Sequence, residues 1–413
     1  MRVKKIGLLL ILTLPLLAVG QNNNAPSTYD PHDIRITGYL QTQFQKTQSE
    51  GITSFSGGDF SENSDQRFMI RRGRLKIDRV DKYTSIVFQL DATQDGVQLM
   101  DAFIQLHHPG YQSLQLTAGL FNRPFGYSIV YSSGYRDFPE RARIFQTLMP
   151  RERDLGAMLS FNPQKSFRFL TLEIAAINGS GKSAKDYDSR LDYVGNVAFK
   201  FDSLADNRLH LGFGGSVYAG SVRNHTDTYF TPRGAEYVPH TSPAYIGKNI
   251  GRVYYGANLQ LQYDNSFGTT SLMTEYVTGK QPGVISSADV LGPYASRSFS
   301  SQPVTDLYQR SFNGGYVWFS QAIGETGLTA LLAYDVYDPN SKASGLDIGA
   351  ADSYTDDADV KFETLGYGVA YQLSQRLKLT VYNEHVRNEK TLLENYSNDI
   401  RDNVFTTRLQ YRW

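Results

Sequence analysis

The last twelve residues, "DNVFTTRLQYRW" (402–413), decide the fold. Phe405, Thr407, Leu409, Tyr411 and Trp413 share one parity, and Val404, Thr406, Arg408, Gln410 and Arg412 share the other. Alternation with period two, running to the final residue, describes a strand with one apolar and one wet face. The pattern recurs upstream. "DIRITGYLQTQFQ" (33–45) sets Ile34, Ile36, Leu40 and Phe44 against Arg35, Gln41 and Gln43, and "TSIVFQLDAT" (84–93) sets Ile86, Phe88, Leu90 and Ala92 against Ser85, Gln89 and Asp91. "QLMDAFIQL", "FLTLEIAAI", "NVAFKF", "LHLGFGGSVY", "RVYYGANLQLQY", "TSLMTEYV", "NGGYVWFSQ", "GLTALLAYDVY", "ETLGYGVAYQL" and "RLKLTVYNEHV" read alike, and "RRGRLKID", "LQLTAGLF" and "LGAMLSF" bring the count to sixteen. None shows helical periodicity.

The connections alternate as well. Short turns ("RVDKY", "HHPGYQS", "NPQKS", "SLADN", "DNSFG", "GET", "LSQ") follow the even-numbered strands. Long loops follow the odd ones, at about 46–65, 122–154, 178–192, 219–251, 279–311, 338–360 and 389–401, apart from the short "QDG". A soluble β-sandwich does not account for one short and one long end. An even-stranded transmembrane barrel does, with turns on the periplasmic side and about ten residues per tilted crossing. Closure is obligatory there, because lipid cannot satisfy a free strand edge. An aromatic final residue is similar to the endings that barrel-assembly machinery reads in outer-membrane proteins, which marks Phe405, Leu409, Tyr411 and Trp413 as a candidate assembly signal.

The other terminus agrees. Arg2, Lys4 and Lys5 precede an apolar run, Ile6 to Leu17, and a small-residue site at Ala18-Val19-Gly20. That is an export signal over 1–20, too short to span a bilayer. It leaves a short periplasmic segment, 21–33, and a barrel over 34–413. The chain has no cysteine, so burial and backbone pairing must hold it together. Removing the leader's three basic residues from 41 leaves 38 against 41 acidic ones, which excludes a basic nucleic-acid-binding domain. A mean hydropathy of −0.39 with 28 Tyr, 23 Phe and 36 Gly suits strands that face lipid on one side and water on the other.

Motifs for chemistry are sparse. "AINGSGKS" (176–183) fits a loose phosphate-loop pattern after an apolar strand, but "AKDYDSRLDYVGN" follows without a helical stripe. It reads as a Gly/Ser loop at the outer end. The seven histidines are scattered, with no H-E-x-x-H pair, so neither a metal site nor a cofactor is expected. No G-x-S-x-G elbow appears, and no catalytic residues are assigned. The loop at 338–360 carries six Asp and one Lys, without the Gly and Glu of a calcium loop, and reads as a solvated acidic surface.

Two stretches concentrate cations. In "RFMIRRGRLKIDR" (67–79), Arg72, Arg74 and Lys76 share a parity opposite Gly73, Leu75 and Ile77. With the apolar parity toward lipid they form a row inside the barrel, free to set selectivity or paired with acids such as Asp91 and Asp101. In "GYRDFPERARIFQTLMPRERDLG" (134–156), Arg136, Arg141, Arg143, Arg151 and Arg153 interleave with Asp137, Glu140, Glu152 and Asp154. These stretches, with "GLFNRPFGYSIVYSS" (119–133), resemble the phosphate-selective porin O and P family, Bacteroidetes-type members in particular. The similarity runs from about 34 to the C-terminus and is tightest over 67–161. It implies a sixteen-stranded, commonly trimeric barrel, with a long third loop folded into the lumen as a constriction and arginines and lysines drawing anions inward. Asn122 to Asp154 match the third loop and Arg71 to Lys76 the arginine-rich strand; a central phosphate-gripping lysine has no match.

The expected fold is therefore all-β: a transmembrane antiparallel β-barrel of sixteen strands with an inward-folded constriction loop, in the bacterial outer membrane. Arg72, Arg74, Lys76, Arg123, Arg136, Arg141, Arg143, Arg151 and Arg153 are the candidate pore-lining residues, since guanidinium forks bind carboxylates and oxyanions alike. The expected function is passive diffusion of small hydrophilic solutes, anions such as phosphate among them. The expected partners are lipid, small solutes, the assembly machinery and two further copies of the chain. A barrel-anchored enzyme or a surface-recognition protein is the alternative.

Overall fold

A computed structural model describes residues 34–111, 113–150, 152–163, 166–182, 185–285 and 302–413. The export signal, the segment 21–33, Arg151 and part of the 279–311 loop lie outside the described residues.

The strands are β1 (Arg35–Thr47), β2 (Gln66–Val80), β3 (Thr84–Thr93), β4 (Gly96–His107), β5 (Leu114–Asn122), β6 (Arg153–Phe161), β7 (Leu170–Ile177), β8 (Asp192–Leu204) and β9 (Leu209–Arg223). They continue as β10 (Thr228–Arg233), β11 (Glu236–Thr241), β12 (Asn249–Asn265), β13 (Gly268–Gly283), β14 (Leu307–Ala322), β15 (Leu328–Asp338), β16 (Phe362–Gln372), β17 (Leu377–Asn388) and β18 (Val404–Arg412). One short helix, α1 (Arg143–Leu148), lies between β5 and β6.

Of these eighteen strands, sixteen make the wall, because β9 passes over β10 and β11 to pair with β12 (Tyr218 opposite Tyr254). Successive wall strands are antiparallel, and β1 meets β18 with Thr42 opposite Leu409, which closes the barrel. Each of the sixteen alternating segments falls in a wall strand. The two extra strands correct the reading of 219–251 as plain loop. "TYFTPRGAEYVPHT" is a hairpin, with Gly234 at φ +64° as the first of two turn residues, a conformation that suits glycine. Its first strand also touches β14 in parallel, Tyr229 opposite Leu307.

The wall is inside out relative to a soluble protein. On β18, Leu409 and Tyr411 are exposed toward lipid, whereas Thr406, Arg408 and Gln410 are buried toward the lumen. That is the arrangement expected of a strand with hydrocarbon on one side. Two irregularities re-aim side chains. Where Gln41 and Thr42 of β1 face Arg72 and Ile70 of β2, Arg71 is left over as a bulge, and Arg71 and Arg72 both turn inward. A second shift between β3 and β4 leaves Met100 over, beside the buried Asp101.

The loop between β5 and β6 folds into the lumen. Phe125, Ile129, Phe138, Ile144, Phe145 and Leu148 are buried there. They pack on an apolar sector of the inner wall that includes Tyr218, Tyr254, Val277, Tyr316, Trp318 and Tyr382. Phe138 stacks on Trp318 with centroids 4.8 Å apart, and Phe145 meets Tyr316 edge-on at 5.9 Å. The core of this barrel is therefore the loop pressed against one side of the lumen.

Candidate functional site: the inward loop and its cations

The loop is fastened along its whole length. At its root, Arg123, with no exposed surface, donates to Asp154 at 2.8 Å and so ties the loop's entry to its exit. Asp154 also accepts the Gly181 amide at 3.1 Å, so the Gly/Ser loop turns its backbone to a protein carboxylate and leads into β8.

The next residues lie against the far wall. The Gly126 amide donates to Ser216 Oγ at 2.8 Å, and the Tyr127 and Ser128 amides donate to Glu275 at 3.2 and 2.9 Å. Glu275 has 1% exposure and takes a further bond from Tyr316 Oη at 3.4 Å. It is an acceptor for peptide N–H groups and forms no ion pair among the described residues.

The middle of the loop then reaches the seam where the barrel closes. Tyr39 Oη and Ser133 Oγ lie 2.7 Å apart, Gln41 Nε2 donates to the Ser133 carbonyl at 3.0 Å, and Gln410 Nε2 donates to the Gly134 carbonyl at 2.9 Å. Lys378 of β17 donates to Asp137 at 2.8 Å and to the Arg136 carbonyl at 3.1 Å.

Glu140 is the electrostatic centre. Arg71 binds it through Nε and Nη2, both at 2.9 Å. Arg72 Nη2 and Arg408 Nη2 each donate to it at 2.7 Å. The Glu140 side chain is 3% exposed. Burial alone would raise its carboxyl, but Arg71, Arg72, Arg408 and Arg136 together hold it well below the usual carboxylate range.

Farther on, α1 begins at Arg143, whose guanidinium lies over the rings of Phe362 (3.7 Å) and Phe55 (4.4 Å). Arg141 pairs with Glu152 and donates to the carbonyls of Ser128 and Tyr131 at 2.6 and 3.1 Å. Arg153 closes the loop by donating to Asp101 of β4 at 3.0 Å and to Glu152 at 2.9 Å. Glu152 too is kept below its ordinary value: burial opposes ionisation, and the charges of Arg141, Arg153 and Arg74 outweigh it.

Of the eight described candidate cations, Arg72, Arg74, Lys76, Arg123, Arg141 and Arg153 each meet a carboxylate. Arg143 meets aromatic rings. Arg136 donates to the Phe138 and Pro139 carbonyls at 3.0 and 3.2 Å, and its buried Nη1 has no partner among the described residues. Arg151 lies outside the described residues. The set does not form one patch: Arg74 turns to Asp91 and Lys76 to Asp78, whereas Arg71 and Arg72 turn to Glu140.

Sequence reasoning missed Arg408, Lys378 and the pairing role of Arg71. Arg408 was visible on the wet parity of the last strand, but nothing local links it to Glu140, 268 residues away. The acidic loop also differs from expectation. Asp359 is fully buried, donated to by Arg310 Nε (3.0 Å), Tyr237 Oη (2.7 Å) and Asn340 (3.0 Å), and it clips the β10–β11 hairpin to the wall. Among the described residues, no group of three or more His, Asp or Glu is placed to hold a metal ion.

At the seam, the Gly38 and Trp413 amides and carbonyls pair in both directions, at 3.1 and 3.3 Å. Phe405, Leu409 and Tyr411 lie on the lipid-facing parity of the same strand.

Comparison with solved structures gives the same architecture at very low identity. The outer membrane channel DcaP of Acinetobacter baumannii superposes with a TM-score of 0.56 at 12% identity, over 92% of this chain and 97% of that one. OprB of Pseudomonas putida gives 0.56 at 8% identity, over 92% and 94%. OmpF of Salmonella typhi, solved with daunomycin, gives 0.54 at 12% identity, over 93% and 99%. At these identities the likeness concerns the fold. No curated protein sequence matches. The family model "Phosphate-selective porin O and P" matches residues 51–413, which hold the inward loop and nearly all of the closed sixteen-strand wall, and this chain belongs to that family of bacterial outer-membrane porins.

Proposed function

We propose that this outer-membrane porin, a passive diffusion pore, favours anions, and oxyanions such as inorganic phosphate above all. The observation that carries the preference is the imbalance around Glu140. Arg71, Arg72 and Arg408 bond a single carboxylate, and Arg136 stands beside them with a buried N–H that has no partner among the described residues. Four guanidinium groups against one carboxylate leave excess positive charge at the waist. In a water-poor constriction that charge acts on passing ions more strongly than it would in bulk solvent. Guanidinium forks match the geometry of tetrahedral oxyanions as well as that of carboxylates.

The other cations at the waist are more fully neutralised and hold the loop to the wall. The slightly negative net charge of the mature chain bears less on selectivity than this local cluster does. Assembly as a homotrimer is part of the same reading, and cross-linking in native membranes tests it.

Single-channel recording in a planar bilayer tests the preference. A potassium chloride gradient should give a reversal potential on the anion side, and added phosphate should block the chloride current. Cation preference with indifference to phosphate would refute the anion reading. Absence of conductance from folded protein would refute passive transport and favour a barrel-anchored activity.

A further inference from the structure

We infer that Glu140 is a tethered counter-anion, occupying the seat a solute oxyanion would take and yielding it only to an anion of higher charge. The inference rests on the anion preference proposed above and goes beyond it, because it assigns the pore's selectivity threshold to an acidic residue of the loop.

Both Glu140 oxygens are engaged by forks from two wall strands, Arg71 and Arg72 on β2 and Arg408 on β18. A carboxylate brings one charge and two oxygens to this group. A phosphate dianion brings two charges and four oxygens, enough to give each of the four guanidinium groups an acceptor. Chloride brings one charge and no fork geometry. Solute and side chain therefore compete for the same N–H groups, and phosphate competes better than chloride.

The arrangement also supplies a way in and a consequence. Arg71, with 24% of its side chain exposed, is the member of the cluster most open to the lumen, whereas the Arg72 and Arg408 side chains are 6% and 5% exposed. A solute meets Arg71 first. Once Glu140 is displaced, the stretch around it loses its charged tie and keeps Lys378 to Asp137, Arg408 to the Pro139 carbonyl and the Phe138–Trp318 stack. The residues between the seam bonds at Ser133 and Gly134 and Glu140 then loosen, while the loop stays tied at Glu275, at the seam and at Asp101.

Two other buried cations offer no such competition. Arg252 is bound to Asp192, and Arg310 is shared between Asp359 and Asp356, so in both cases the carboxylates at least match the cation in number.

The test uses the full mature protein in bilayers with inorganic phosphate as the probe. In Glu140→Gln the half-blocking phosphate concentration should fall about tenfold or more, about 1.4 kcal/mol, because nothing tethered contests the seat. Arg71→Gln should move it the opposite way, which keeps the test decisive even if the Glu140 variant assembles poorly.

A second readout separates displacement from a simple change of charge. The chain has no cysteine, so a spin label on Tyr135→Cys, an exposed position between the seam bonds and Glu140, is unique. Saturating phosphate should raise its mobility in the otherwise wild-type protein, and adding Glu140→Gln should raise it without phosphate. Phosphate block with an unmoved label, or with an unchanged half-blocking concentration in Glu140→Gln, would overturn the tethered-anion inference and leave the anion preference standing. A wild-type pore that phosphate does not block, with no anion-side reversal potential, would instead remove the preference and this inference together.

Discussion

Replacing Gly126 by alanine should unseat the first third of the inward loop without touching the wall. Gly126 has φ +61°, and a Cβ built on it overlaps Glu275 Oε1. Two costs follow. Alanine in left-handed backbone costs roughly 1–2 kcal/mol relative to glycine. Glu275 must also withdraw, giving up the Tyr127 and Ser128 amides, at roughly 0.5–1.5 kcal/mol for each bond.

The sum, about 2–5 kcal/mol, falls on the seated position of the loop, since the strand pairing of the barrel is unchanged. Amide hydrogen exchange of the folded protein in detergent reads it directly. Protection at Tyr127 and Ser128 should fall by about thirtyfold or more, at about 1.4 kcal/mol per decade, while β12 and β13 keep theirs. Glu275→Ala should lose the bonds without the backbone strain, and so fall between the two. Protection within tenfold of wild type in Gly126→Ala, with unaltered single-channel conductance, would refute the claim that Glu275 seats the loop.

Further outcomes follow from other parts of the molecule. Arg310→Leu leaves Asp359 buried without its cation and should cost about 3–5 kcal/mol; it should be seen as protease cleavage within the β10–β11 hairpin at enzyme concentrations that spare the wild type. Asp402 has its carboxyl pushed up to about 6, by burial first and then by Asp399, with Arg143 opposing. A raised acid binds its proton more tightly in the folded state, so its penalty is absent below the unfolded value near 4 and complete above about 6. Exchange protection of the loop before β18 should therefore weaken between pH 4 and 6.5, and Asp402→Asn should abolish that dependence. Glu140 is depressed, so the stabilisation it provides is complete above the ordinary carboxylate value and is lost progressively as the pH falls from there through its lowered value. Deleting Trp413 removes its paired bonds to Gly38 at the seam and should lower the amount of assembled protein in cells more than it lowers the yield of refolding in detergent.

How far the chain could be read in advance depended on range. Wall strands are specified by parity over ten residues, and the two solvents of an outer-membrane barrel enforce that parity locally. The segment around Leu409 and Tyr411 shows its lipid face without reference to any other residue. The β10–β11 hairpin carried a local signal too, two alternating runs around Gly234-Ala235, but it lay inside a long loop that breaks the wall's own rhythm. The apolar lumen was less legible, because in strands such as β14 both parities are apolar and period two cannot say which side meets a loop. Arg71 was ambiguous for a related reason, since a one-residue bulge inverts parity and leaves no mark in composition.

What the sequence by itself determined is the all-β wall, its sixteen strands, its long and short ends, and the location of the cations. What only the tertiary structure decided is which charge meets which. Closure places β1 between β18 and β2, with Gln43 opposite Arg408 and Gln41 opposite Arg72, so guanidinium groups more than three hundred residues apart stand one strand from each other. The inward loop then brings Glu140 to them. Parity is a property of neighbours along the chain, whereas Coulomb pairing depends on distance through space, and that distance exists only once the barrel has closed.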